Sequence, residues 1–449
     1  MLLHVTVGLQ VESNKVIIYK ANVTIVNNTA FMSLTIHYIN DQFNYVTVNA
    51  MCVPFPGSHT ARHVADKINE ILKEIKFPIS RVVCCVMDNE ATANAAGDLL
   101  ECPWHGCIDH LIELITGEAY TNNDGATTRA RALVGHYKSS SSATALLQEQ
   151  QRVLNPSVVP KCVIQDVATR WWSTYAMVER LLYLKDAIMV LHVTKRVPCS
   201  VSEDDWSILE QLEKILRPFM QLQKFFEGQE YVTISIIPAV IKYIRKTLTG
   251  LIEEMSQPNH ATLTATNRLS ILNVVQKMSN KFIERWGSGF DGTVFIEHET
   301  RGPRNIRKGI PLLVFLASAL DPRFKILYGV PPEDKRKVWE ALIKETHSHF
   351  LAISPLENEV ITPNTEPINK RPRIVHDILN DLLEDETEQE VPTDDGGNSL
   401  LDRIRDEVHR YKALPSLPYQ DDDQKPTDPL AWWKEKQVRL HDNISSYLM

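Results

Sequence analysis

Four groups of residues have types and spacings that could do chemistry. Asp88 closes a short apolar run, Arg81–Met87, and is followed by Asn89. A carboxylate at the end of a buried strand can offer hard oxygens to a divalent cation. The same residue type at that place also caps a following helix. Cys102, His105, Cys107 and His110 set four thiol or imidazole groups within nine residues. Zinc takes four such ligands, but ordinarily as two pairs separated by a longer loop, so that they converge tetrahedrally. Cys107 and His110, three apart, equally suit one face of a starting helix. Arg170-Trp171 joins a cation to a large aromatic surface that can stack on an unpaired base; tryptophans opening a helix also serve packing. Near the end, Trp432, Trp433 and Leu448 lie in an amphipathic segment. Such segments pair subunits at obligate interfaces or fold back onto their own core.

The elements that must position these residues can be read from periodicity. Lys15–Tyr19, Phe31–Tyr38 and Tyr45–Val53 are rich in β-branched and aromatic residues, with Asn27-Asn28 and Asn40-Asp41 as turns between them, which predicts an antiparallel meander. Thr60–Ile75 places Val64, Ile68, Ile71, Leu72 and Ile75 on one helical face, with Ser58 or Thr60 as the cap. Arg81–Met87 has the unbroken apolar character of a strand buried on both sides. Helices follow over Glu90–Leu100 and about Ile108–Ile115. From about 130 to 350 the period is helical, with candidates at Thr169–Val190, Asp205–Phe226, Ile234–Leu251 and Ala261–Trp286. That is longer than a connection between sheet elements, and predicts a separate helical region. Residues 353–427 are rich in proline and carry the acidic runs 377–395 and 421–423, a linker composition. Leu400–Ala413 within it can form a helix, and Trp432–Leu448 is a last amphipathic segment.

The bulk properties narrow the class. The 449 residues, 43% of them hydrophobic, suffice for two to four domains. A net charge of −8 counts against a dedicated nucleic-acid module, which is usually basic, while leaving room for a local basic patch. Seven cysteines, all in the first half and in no regular framework, predict free thiols and a reducing compartment. No secretory signal is evident, and no apolar run reaches the ~18 residues of a membrane span. Lys370-Arg371-Pro372-Arg373 is the nearest approach to a nuclear signal.

Seven short stretches then resemble hAT-superfamily DNA transposases, in the family's order, especially the lineages that carry BED-type zinc fingers. They are Phe31-Met32-Ser33-Leu34-Thr35-Ile36-His37-Tyr38-Ile39, Pro56-Gly57-Ser58-His59-Thr60, and Val86-Met87-Asp88-Asn89-Glu90. Next come Cys107-Ile108-Asp109-His110-Leu111-Ile112-Glu113-Leu114 and Thr169-Arg170-Trp171-Trp172-Ser173-Thr174. Leu320-Asp321-Pro322-Arg323-Phe324-Lys325 and Asp428-Pro429-Leu430-Ala431-Trp432-Trp433 complete the series. The BED finger itself has no counterpart.

The resemblance implies an α/β plus all-α chain. A ribonuclease-H-like (integrase-type) core at 1–128 would be followed by a mainly helical insertion region at 129–352. An acidic linker would occupy 353–427, and a truncated C-terminal dimerisation segment 428–449. Such transposases cut DNA with three carboxylates holding two metals roughly 3.5–4 Å apart. Counting back from Met32-Ser33-Leu34-Thr35, the first acid's place falls on Ala21, or on Asn22 one residue on. Asp88 matches the second acid. The third, a Glu in a Ser-Glu-Arg-like motif, lies in the family beyond the position of Met449. The expectation is a pseudo-transposase with an incomplete triad: not an enzyme, Asp88 vestigial, no cofactor, and Mg²⁺ only if an active site survives. The same resemblance points to Arg170 and Trp171 for DNA contact and to Trp432, Trp433 and Leu448 for dimerisation. It implies a nuclear protein acting through self-association or other hAT-derived proteins, with DNA contact in transcription regulation, no membrane and no small-molecule substrate. The alternative is an active strand-transfer enzyme whose missing Glu comes from a fuller-length form.

Overall fold

The computed structural model describes residues 17–436 except 27–28, 41, 80–81, 89, 122–124, 168–170, 195, 228–232, 259–262, 287–308, 354–399 and 422–424. The chain divides into two compact units. The first comprises 1–110, 226–242 and 285–449; the second comprises 111–225 and 243–284. The stretch 129–352, expected as one helical region, contributes to both.

The first unit is built on a five-stranded sheet: β1 (Ile17–Val26), β2 (Thr29–Ile39), β3 (Tyr45–Pro54), β4 (Val82–Met87) and β5 (Trp104–Gly106). The spatial order is β3-β2-β1-β4-β5. The meander of β1, β2 and β3 is antiparallel, as its alternation predicts, while β4 lies parallel to β1 and β5 parallel to β4. Four strands therefore run one way, and the carboxyl ends of β1, β3, β4 and β5 share one end of the sheet. β1 extends well past the expected Tyr19, and β5, three residues long, was not expected at all.

Helix α1 (Ala61–Glu74) covers one face. Thr60 accepts the backbone N–H of His63 and caps it, and Val64, Ala65, Ile68, Ile71 and Leu72 meet Met32, Leu34, Ile36 and Phe55 in the core. The apolar period of 3.6 on the helix and of 2 on β2 are what make these two faces match. β4 is buried through most of its length, which explains its unbroken apolar sequence. After α2 (Ala91–Gly97), the Trp104 ring packs directly on Gly97: a Cβ there would stand 2.5 Å from the indole.

A second part of this unit gathers α10 (Leu312–Leu320), α11 (Pro332–Ile353), α12 (Leu400–Ala413) and α13 (Pro429–Lys436). A short 3-10 turn, Ile234–Ile236, sits against α10.

The second unit is helical. It takes α3 (Ile108–Thr121) from Leu111 onward, then α4 (Ala126–Ser139), α5 (Ser141–Leu154), α6 (Trp171–Val193) and α7 (Glu203–Phe226). The later parts of α8 (Ile237–Ser256) and most of α9 (Ala265–Trp286) complete it. Helix α7 opens with a reciprocal cap: Ser202 Oγ accepts the Asp205 N–H, and Asp205 Oδ2 accepts the Ser202 N–H. Arg129 on α4 then donates through Nε and Nη2 to the same Asp205, joining α4 to the start of α7. Among the described residues no helix is long and apolar enough to cross a membrane.

Candidate functional site

The sheet end that collects the carboxyl ends of the parallel strands is where α/β folds ordinarily bind ligands. Asp88 stands there, one residue past β4, with its side chain 46% exposed. It does not cap α2; that position belongs to Glu90, which makes no side-chain cap bond. Instead, Asp88 Oδ1 lies 3.7 Å from His110 Nδ1. The backbone explains the meeting. Cys85 N–H donates to Pro103 O and Cys107 N–H donates to Met87 O, so β5 is stitched beside β4 and delivers Cys107 and His110 to the strand end that carries Asp88. The Cys-x-x-His spacing then follows from the start of α3: Cys107 immediately precedes it and turns inward, buried, while His110 in the first turn reaches the carboxylate.

The neighbouring strand supplies no second acid. β1 pairs with β4 through Ile18↔Cys84, Tyr19↔Cys85 and Lys20↔Val86. Carried two residues further, that register brings Asn22 level with Asp88 and Ala21 level with Met87. Two-metal cleavage needs hard anionic oxygens from both strands; an amide or a methyl group offers none. Among the described residues no three His, Cys, Asp or Glu side chains converge as a metal site requires. Among the described residues, the donors that meet at this strand end, the Asp88 carboxylate and the His110 imidazole, do not fit a pair of divalent ions.

The second candidate group lies in the other unit. Arg170 falls outside the described residues; Trp171 is the first residue of α6, and Trp172 beside it is 39% exposed. The chain leading to this point is locked. Asp166, its carboxylate almost fully buried, receives Arg131 Nε at 2.9 Å and Nη2 at 2.6 Å, and the Thr174 hydroxyl at 3.0 Å. Burial works against the charge of Asp166, but the Arg131 guanidinium and the Thr174 hydroxyl outweigh it and hold the carboxyl below the usual carboxylate range. Ser173 Oγ accepts the Val167 N–H at 2.9 Å and donates to Val167 O at 3.0 Å. Upstream, the Gln151 amide donates to Lys161 O and accepts from Lys161 N–H, holding an extended segment against α5. None of these clamps was legible in advance, because their partners are brought together only by helix packing.

The third group behaves differently from a free interface. Leu448 lies outside the described residues. Trp432 is half-buried, and Trp433, 2% exposed, is spent on the chain's own core: its indole N–H donates to Leu320 O at 2.9 Å and its ring packs on Tyr411, 4.8 Å between centroids. The anchor is the Leu320–Lys325 stretch. Asp321 accepts from Ser235 Oγ at 2.7 Å and from Arg323 Nε and Nη2 at 2.9 and 2.7 Å. Arg323 reaches on to Thr427 O at 3.3 Å. Burial opposes the Arg323 charge, yet Asp321 raises its pKa. Lys325 Nζ donates to the carbonyls of Tyr411, Lys412 and Leu414 at the end of α12. The density of charge in Asp321–Lys325, next to the apolar run Leu312–Leu320, is the sequence signal that this stretch ties distant segments together.

These arrangements agree with what the chain is similar to. Residues 106–215, running from the end of β5 through the Asp166 lock and α6 into α7, match the model of the ZBED1 RNase-like helical domain. A Zea mays protein described as an AC transposase is 26% identical, covering 91% of this chain and 48% of its own length. The Homo sapiens zinc finger BED domain-containing protein 4 is 27% identical over 30% of this chain and 12% of its own. A Talaromyces stipitatus protein described as the transcriptional regulator tpeD is 24% identical over 51% of this chain and 31% of its own. The chain spans at most about half the length of these relatives. The chain is thus similar to hAT-type transposases and to BED-finger proteins.

Proposed function

We propose that the chain is a degenerate hAT transposase working as a nuclear association protein, and that its sheet is a ribonuclease-H-like core that no longer cuts DNA. The strand order β3-β2-β1-β4-β5, with an antiparallel meander and two parallel strands, supports the fold reading. The observation that supports the loss of catalysis is that β1, Ile17–Val26, holds no acid, and that its register on β4, extended past Lys20↔Val86, points Ala21 and Asn22 toward the Asp88 end. His110 beside Asp88 supports it further, since an imidazole can partner the carboxylate left without a metal. No cofactor enters this reading.

Nucleic-acid contact, where retained, belongs to the second unit. The chain's negative balance is concentrated in the first unit, with its acidic runs, whereas the second is weakly positive. Trp171, the first residue of α6, falls in this second unit, with Arg170 before it in sequence. Names of relatives that denote transposases and a transcriptional regulator support a role in transcription and a nuclear location. Self-association and other hAT-derived proteins are the partners this reading takes, with no membrane and no small-molecule substrate.

Nicking of supercoiled plasmid with Mn²⁺ tests the central claim. Wild type and Asp88→Ala are expected to leave the plasmid equally intact. Nicking by the wild type that disappears in Asp88→Ala would establish a working metal site and overturn the reading in favour of an active strand-transfer enzyme.

A further inference from the structure

β3 is the outer strand of the sheet, and among the described residues its ladder partner is β2 alone. Its sequence, Tyr-Val-Thr-Val-Asn-Ala-Met-Cys-Val-Pro, holds ten residues without a charge and without a proline before the last. Soluble proteins normally blunt such edges with lysine, proline or a very short strand, because the free N–H and C=O groups template further pairing. The packing is unfinished in the same place. On β2 the core-facing Met32, Leu34 and Ile36 are at most 1% exposed. Their β3 neighbours in register, Val53 and Met51, pack on the same core but remain only partly covered, as does Val48 opposite Ile36, and no residue of β3 is buried. The opposite face of β3 carries Cys52, Asn49 and Thr47, paired with Ser33, Thr35 and His37, and is polar without being charged.

We infer that β3 is a self-association edge, onto which the same strand of a second copy of this chain adds. The inference rests on the association reading above and gives it a surface, one separate from Trp433, which the chain has already used internally. A second β3 is the occupant its chemistry fits. A strand joining here must continue an apolar row over the core and an uncharged polar row outside, and β3 has both. Two copies related by a two-fold axis pair antiparallel, each strand meeting the other's identical patch. Because β3 carries no charge, that pairing brings no like charges together, whereas a chain of net charge −8 repels its own copy over much of its remaining surface. Main-chain hydrogen bonds supply the affinity, and the half-covered valines and Met51 supply the register.

Sedimentation velocity on the whole chain at tens of micromolar, with hydrogen exchange across 45–54, tests the inference. The variant is Asn49→Lys with Cys52→Lys, both on the exposed polar face, where lysine leaves the core untouched. Wild type is expected to sediment as a dimer with protected β3 amides. The double variant should sediment as a folded monomer, its dimer weakened at least about tenfold, with β3 exchange accelerated and α1 exchange unchanged. A dimer unaffected by the two lysines would overturn the β3 edge while leaving association through another surface standing. A wild type that stays monomeric would overturn the association reading and the edge with it.

Discussion

Lys325 offers the sharpest energetic test of how the first unit is held together. Its side chain is 3% exposed, and its ammonium is met by three carbonyls at the end of α12 and by the Tyr411 ring, 4.8 Å from Nζ, rather than by a carboxylate. Burial lowers its pKa from 10.5 to about 8. The unfolded chain therefore holds the proton more tightly than the folded one, and stability must rise with pH between these values. Below about pH 8 both states are charged and the fold bears the whole desolvation cost. By pH 9 roughly 1.4 kcal/mol of that cost has gone, and by pH 10.5 about 3 kcal/mol. Lys325→Met keeps the side chain's length but removes both the buried charge and the donors. Stranding the three carbonyls at the end of α12 costs about 1–3 kcal/mol each, against the roughly 3 kcal/mol of desolvation recovered, so a net loss of up to about 6 kcal/mol is expected at pH 7. Urea unfolding followed by circular dichroism at pH 7, 8 and 9 measures both effects. The wild type's advantage over Lys325→Met should widen by about 1.4 kcal/mol across that range, because only the wild type gains from losing this proton. An advantage that stays constant or narrows would refute the buried-ammonium account.

Two further substitutions probe the other contacts. Gly97→Ala should destabilise the sheet unit by about 1–3 kcal/mol, since the new Cβ collides with a Trp104 ring that is only 4% exposed and has no room to retreat; a thermal midpoint equal to wild type would contradict that packing. Asp166→Asn should cost the second unit about 2–4 kcal/mol at neutral pH by leaving Arg131 without its carboxylate. Because the carboxyl's folded pKa is lowered, its contribution is present above the ordinary carboxylate pKa and fades as pH falls through the folded value. The gap between Asp166→Asn and wild type in urea should therefore close in strong acid, and a gap unchanged there would mean that the carboxylate's charge is not what stabilises the lock.

How far sequence reached into this molecule depended on whether the decisive partners were near one another along the chain. Alternation in β2 and β3, the one-sided apolar face of α1 and the unbroken apolar run of β4 are local signals, and all four elements stand where their periods put them. β5 is three residues, Trp-His-Gly, too short to display a period; it exists because the edge of β4 is there to pair with. Its absence from the reading hid the main fact of the site, that β5 carries His110 to Asp88 across twenty-two positions of sequence. The place of the first acid, Ala21 or Asn22, came from the family resemblance, counted back from Met32-Ser33-Leu34-Thr35; the pairing of β1 on β4 runs to Lys20↔Val86, one residue short of Ala21. Trp433 marks the limit of composition as an argument. A large aromatic on an amphipathic helix looks the same whether it faces a partner or its own chain, and only the Leu320 carbonyl accepting its indole N–H decides between them. The resulting division assigns Trp433 to intramolecular packing and leaves β3, whose ladder partner among the described residues is β2 alone, as an uncharged outer strand. A search for partners should therefore begin at β3 rather than at α13.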